Sequence, residues 1–257
     1  MIVLETVAVA FSMFSALPVP QVEWNERNRR WSLCAFPLVG AVIALALCSW
    51  EAVCARLALP AVLRGAGLCL LPVLITGGIH LDGFMDTVDA LKSHTVPEKK
   101  RAILKDPHVG AFAAIGLFAY LLAYYGLCSG LVLFGRRYLL LFLIPVMSRS
   151  LSAVSGTLLP VRPGEGTLNI FHQAADRTVG VMAIGWVVLS AAGMVAVWPL
   201  VGGIMVSGAV ITLLLVRRMA MKEFEGVSGD IAGFQLQVAE LVMLALLVLT
   251  ERILVML

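Results

Sequence analysis

A chain of 257 residues, 60% hydrophobic and 14% charged with a mean hydropathy of +0.96, is too apolar for one or two soluble domains. Apolar stretches long enough to cross a bilayer recur along it, which predicts an all-α, polytopic transmembrane helical bundle and one integral membrane domain over residues 1–257. The net charge of +3 is small, so no nucleic-acid partner is expected, and five cysteines without a CxxC pair indicate neither a zinc site nor a disulfide framework.

In chain order, Met1 to Leu17 is apolar but carries Glu5 and stops at Pro18-Val19-Pro20. It lacks the basic start of a signal peptide and is expected to be retained, either spanning or lying in the interface as a short or re-entrant helix. About seven spans are expected after it: 33–55, 60–81, 111–134, 138–159, 178–198, 202–216 and 233–249. Cys34, Cys48, Cys54, Cys69 and Cys128 lie in or beside them and are expected to act as small buried hydrophobes. Arg149 falls near the middle of its span, where a guanidinium must face the bundle interior and meet an anion or a carboxylate. Gln235, Gln237 and Glu240 in the last span must likewise face protein or water. Lys99, Lys100 and Arg101 read as a solvated or headgroup-facing run.

The spans divide the loops into two sets. Loops 21–32, 82–110, 159–177 and 217–232 carry thirteen Lys and Arg, and the opposite set carries five. The richer set should face the cytoplasm.

One stretch, Thr76-Gly77-Gly78-Ile79-His80-Leu81-Asp82-Gly83-Phe84-Met85-Asp86-Thr87-Val88-Asp89-Ala90, organises the chemistry. On a helix Asp82, Asp86 and Asp89 fall within an arc of about 60°. A helix start would account for Asp82 through the helix dipole, but not for three acids in register without a basic i+4 partner. Mg²⁺ would neutralise such a stripe while keeping positions for water and phosphate. Gly77-Gly78 either bends the chain ahead of the aspartates or serves as a packing notch. By topology Asp106 and Asp230 share the same side. The arrangement suits attack of a hydroxyl on a diphosphate, with one acid taking the proton. Membrane prenyltransferases and CDP-alcohol phosphotransferases use comparable spacings. An ion-coupled transporter would instead place acids near mid-membrane and show an inverted repeat, and no repeat is visible.

The same stretch closely resembles the signature of the cobalamin synthase family, the adenosylcobinamide-GDP ribazoletransferases. Further matches follow in order: Leu17-Pro18-Val19-Pro20, Phe36-Pro37-Leu38-Val39-Gly40, Lys105-Asp106 with Gly110, Ser148-Arg149, and Ser228-Gly229-Asp230 followed by Glu240. Ala90 stands where the family usually has glycine, and Pro107-His108 replaces a small or basic pair. The resemblance implies transfer of the cobinamide phosphate of adenosylcobinamide-GDP to α-ribazole or its 5′-phosphate, releasing GMP. It implies Mg²⁺ on Asp82, Asp86 and Asp89, with Asp106 and Asp230 completing or supporting the shell. Asp89 or His80 is the alternative general base, and Arg149 and Lys105 would bind diphosphate oxygens. Membrane lipid is an expected partner, and a homo-oligomer is compatible with the sequence.

Overall fold

The computed structural model describes residues 2–133, 135–162 and 166–256. Its described residues form helices and turns, with one isolated bridge between Val161 and Val227. The first helix, α1 (Ile2–Phe14), is 13 residues long, about 20 Å, which is short of the hydrocarbon thickness. After it the Ala16 N–H donates to the Ile75 carbonyl at 2.8 Å. A capping box between Asn25 and Asn28 starts α2 (Glu26–Leu57). Next come α3 (Ala61–Thr76), α4 (Ile79–Lys92), α5 (Pro97–Ile103), α6 (Ala111–Gly130), α7 (Tyr138–Leu158), α8 (Thr167–Ala174), α9 (Arg177–Val197), α10 (Pro199–Phe224) and α11 (Gly229–Met256).

Five helices are long and apolar enough to cross a membrane: α2, α6, α7 with its leading turn, α9 and α10. The number becomes six when α3 and α4, joined at a 95° bend, count as one broken span. About seven were expected. The remaining long helix, α11, has 28 residues and lies inside the bundle with Gln235, Gln237, Glu240 and Glu251 buried. The expected span to Phe134 ends at Gly130, and Phe134 lies outside the described residues.

The two loop sets gather at opposite ends. At one end Arg30 pairs with Asp176, Lys100 with Glu223, and Arg101 with Glu225. At the other, the Trp50 indole N–H donates to the Arg64 carbonyl, Arg64 bonds the Leu131 carbonyl, and the Arg137 guanidinium lies 4.0 Å from the Trp198 ring centre. Between them, Phe118 and Leu122 on α6, Val188 and Leu189 on α9, and Ile211 and Leu215 on α10 stay exposed, an apolar belt of the kind a bilayer covers. Cys34, Cys54, Cys69 and Cys128 are buried as expected. Cys48 is not, because it falls on the outward face of α2.

Candidate active site

The site begins at the end of α3, where Gly77 and Gly78 take φ values of +64° and +79°. Two successive left-handed residues are what a chain needs to turn this sharply, and only glycine adopts them without a Cβ penalty. Of the two possibilities for this pair the bend is found, and Gly77 is also closely packed, since a Cβ there would lie 3.1 Å from the Ala16 Cβ. A Cβ on Gly78 would meet nothing within 4 Å, so conformation rather than crowding selects the residue there. The Asp82 N–H then bonds the Gly78 carbonyl at 2.9 Å and α4 begins.

Helix α4 carries Asp82, Asp86 and Asp89 along one stripe, Asp82 exposed and the other two half-buried. Its opposite face packs on α11 and α6. A Cβ on Gly83 would lie 2.7 Å from the Asp230 Cα, and one on Gly233 would lie 3.1 Å from the His80 carbonyl. The two backbones therefore cross almost in contact, as small residues allow. Phe84 stacks on Phe234 with ring centres 5.5 Å apart, and meets Tyr120 at a tilt with centres 5.1 Å apart. This crossing carries Asp230 to the stripe, and Asp82, Asp89 and Asp230 all lie within electrostatic reach of Asp86.

Asp89 has a second attachment. Its Oδ1 accepts from the Ala113 N–H at 3.3 Å, and its carboxylate occupies the space a Cβ on Gly110 would need. An anion at the first turn of α6 is favourable, and Gly110 makes the approach possible.

In the arrangement seen, no three His, Cys, Asp or Glu side chains among the described residues meet closely enough to hold a metal ion. The stripe is present but does not close into a cage, because side chains one turn apart on a single helix point in parallel. The donor set still has the chemistry of a Mg²⁺ site. It offers hard carboxylate oxygens from two helices, and among the described residues no Lys or Arg forms an ion pair with Asp82, Asp86 or Asp89. A cation that retains several waters can bridge such a stripe.

Other expected members make different contacts. Asp106 Oδ1 accepts the His108 N–H at 3.0 Å and lies 2.6 Å from its Nδ1. The His108 ring and backbone N–H hold the Asp106 carboxyl below its ordinary range. This closed turn is exposed on the α5–α6 loop, and Asp106 is not among the acids acting on Asp86. Lys105 is exposed on the same loop. Arg149 faces the interior as expected, is 1% exposed and is ion-paired with Glu240, so its charge is answered by a carboxylate in this structure. Ser148 Oγ donates to Glu240 at 2.8 Å, and Arg149 Nη1 also reaches the Pro145 carbonyl at 3.2 Å. Beside this pair the Tyr120 hydroxyl bonds Gln237, and Ser155 Oγ bonds Gln235 at 3.0 Å.

The Lys99–Arg101 run is also more than a solvated face. Lys100 is buried against Glu223, and Arg101 reaches Glu98 and Glu225, which ties α5 to the end of α10. Of the remaining histidines, His94 and His108 are exposed, and His172 Nδ1 lies 2.9 Å from the Gly156 carbonyl.

Below the stripe, a cavity of about 180 Å³ opens between α1, α2, α4, α7, α8 and α11. Phe14, Phe36 and Phe171 wall it, and His80, Asp82 and Asp230 stand on its lining. The apolar pattern hid this feature, since each aromatic reads as ordinary core and they come from three separate helices.

The chain matches the family model described as cobalamin-5-phosphate synthase over residues 6–248. An adenosylcobinamide-GDP ribazoletransferase of Lachnoclostridium phytofermentans is 35% identical over 253 residues, covering 98% of this chain and 96% of that protein. Similarly named proteins of Desulfitobacterium hafniense and Clostridium botulinum are 32% and 30% identical, covering 92% and 91% of this chain and 93% of each relative. No solved structure matches the chain.

Proposed function

The chain belongs to the cobalamin-5-phosphate synthase family, and from that premise we infer that the acidic end of α4 carries its chemistry. The activity is that of an adenosylcobinamide-GDP ribazoletransferase, acting in the last steps of cobalamin synthesis. A ribose hydroxyl of α-ribazole, or of its 5′-phosphate, attacks the cobinamide-side phosphorus of adenosylcobinamide-GDP. One O–P bond forms, the diphosphate bridge breaks, GMP leaves and the hydroxyl proton passes to a carboxylate.

The observation that carries the site assignment is the approach of Asp230 to the Asp82–Asp86–Asp89 stripe across the Gly83–Gly233 crossing. Asp82, Asp86 and Asp89 would hold Mg²⁺, which supplies neutralisation of charge on the diphosphate oxygens. Asp230, half-buried on the cavity lining, is placed to take the hydroxyl proton. Lys105, exposed at the same end of the bundle, adds positive charge for the leaving GMP. Arg149 acts at a distance by fixing α7 against α11 through Glu240. The cation-rich loop set supports a cytoplasmic site in the cell's inner membrane, and the exposed faces of α6, α9 and α10 would meet lipid.

The test is GMP release by the purified protein in liposomes supplied with adenosylcobinamide-GDP, α-ribazole and Mg²⁺. Release well above an Asp82→Ala control is expected. A rate equal to that control would overturn the assignment.

A further inference from the structure

The cavity beneath α4 has features that phosphoryl transfer alone does not require. Its walls are aromatic: Phe14 and Phe36 ring centres lie 4.2 Å apart, and Phe171 stands 6.2 Å from Phe14. The His80 ring sits among them, 5.4 Å from Phe36 and 6.3 Å from Phe14. His80 is 6% exposed, and its Nε2 has no hydrogen-bond partner. Buried polar atoms in folded proteins are nearly always paired. An orphan ring nitrogen on a residue that borders a cavity thus calls for a ligand atom.

We propose that this cavity binds the planar azole base of the acceptor nucleoside, with His80 Nε2–H donating to the base's unsubstituted ring nitrogen. The inference rests on the ribazole-transfer activity above and extends it to the base subsite. A space of about 180 Å³ suits a bicyclic aromatic ring and is far too small for a corrin. Every flat base offers a π-face to aromatic walls, and stacking of this kind tolerates variation in the ring. The azole adds one in-plane lone pair, which a neutral imidazole can satisfy with its single N–H. Asp82 and Asp230 stand on the same lining, so a base seated on His80 directs its ribose toward the carboxylates. The slot thereby orients the hydroxyl as well as selecting the base.

The experiment compares two acceptors of equal shape, the α-riboside of 5,6-dimethylbenzimidazole and that of the corresponding indole, in which C–H replaces the ring nitrogen. GMP release is followed with the purified full chain in detergent. The native protein is expected to show a KM for the azole riboside about tenfold below that for the indole. His80→Leu should raise the azole KM about tenfold while leaving the KM values for the indole riboside and for adenosylcobinamide-GDP in place. His80→Gln, which keeps an N–H at similar reach, should recover most of the discrimination.

A rise in the donor's KM in His80→Leu would assign the slot to guanine and overturn the proposal. So would an equal loss of kcat with both acceptors at unchanged KM, or a native protein indifferent to the ring nitrogen. Equilibrium dialysis with the labelled azole riboside separates this inference from the activity itself. Binding weakened about tenfold in His80→Leu supports the slot even if no GMP is released, whereas no binding to the native protein overturns it.

Discussion

Arg149 and Glu240, 91 residues apart in sequence, neutralise each other in the interior of the bundle, where they are 1% and 2% exposed. A buried pair is costly to assemble but far costlier to halve, since removing one partner strands a charge and costs about 3–5 kcal/mol. Glu240→Gln should therefore sharply lower the unfolding temperature of the detergent-solubilised protein. Adding Arg149→Gln should restore much of the loss. Native-like stability of Glu240→Gln alone would show that the pair does not hold α7 against α11.

The crossing of Gly83 over Asp230 leaves no room for a side chain. Overpacking of this kind costs about 1–3 kcal/mol, and a shift of about 1 Å at a catalytic group can cost about a hundredfold in rate. Gly83→Ala is expected to reduce GMP release at least tenfold. Gly126→Ala on α6, where an added Cβ meets nothing within 4 Å, is the control and should leave both stability and rate near native. Equal behaviour of the two variants would rule out the close crossing.

Among the described residues the acid stripe has no basic ion-pair partner, so its charge should be answered by a divalent cation. Asp82→Asn and Asp86→Asn are each expected to lower kcat by about 10²-fold or more, the range seen when one transition-state stabilising group is lost. Chelation should abolish turnover and added Mg²⁺ should restore it. Full turnover in excess chelator would contradict the assignment.

Gly78 tests the bend without a clash. Its φ of +79° would cost a residue with a Cβ about 1–2 kcal/mol, although the space around it is open. Gly78→Ala should lower thermal stability by that order, and Gly78→Asn by less, because asparagine tolerates the left-handed region. Identical melting of both variants and the native protein would mean that the bend is not maintained.

Asp176 caps α9, its Oδ1 accepting from the Thr178 and Val179 N–H groups at 3.1 Å each, and it pairs with Arg30. The Val179 N–H chiefly, with Arg30 and the Thr178 N–H, holds its carboxyl below the ordinary range. A carboxyl whose value is lower in the folded state contributes stability that is complete above its unfolded value and disappears as pH falls through the folded one. Melting followed from neutral pH into that acid range should decline less in Asp176→Asn, which keeps a cap oxygen but cannot titrate. A decline as steep as the native protein's would refute this role.

What could be seen in the sequence was whatever repeats with the period of a helix. The aspartate stripe, the long apolar helices, the grouping of Lys and Arg at one end and the inward-facing Arg149 all follow from residues within a few turns of one another. Asp106 shows what that logic does not reach. Its side chain was assigned by its place in a motif, yet a hydrogen-bonding residue two positions on, His108, captures it. Lys100 and Arg101 looked solvated because Glu223 and Glu225, which pair with them, come from more than a hundred residues away.

The sequence by itself thus determined that the chain builds an apolar helical bundle with a stripe of acids on one helix, because hydropathy and helical phase are local properties. Tertiary structure alone decided that Asp230 joins the stripe, that Glu240 answers Arg149, and that three aromatics from separate helices surround His80. The first depends on how closely α4 and α11 approach, a distance fixed by Gly83 and Gly233 meeting backbone across the crossing. The other two depend on side chains brought together from helices far apart in the chain, which no pattern along one helix records.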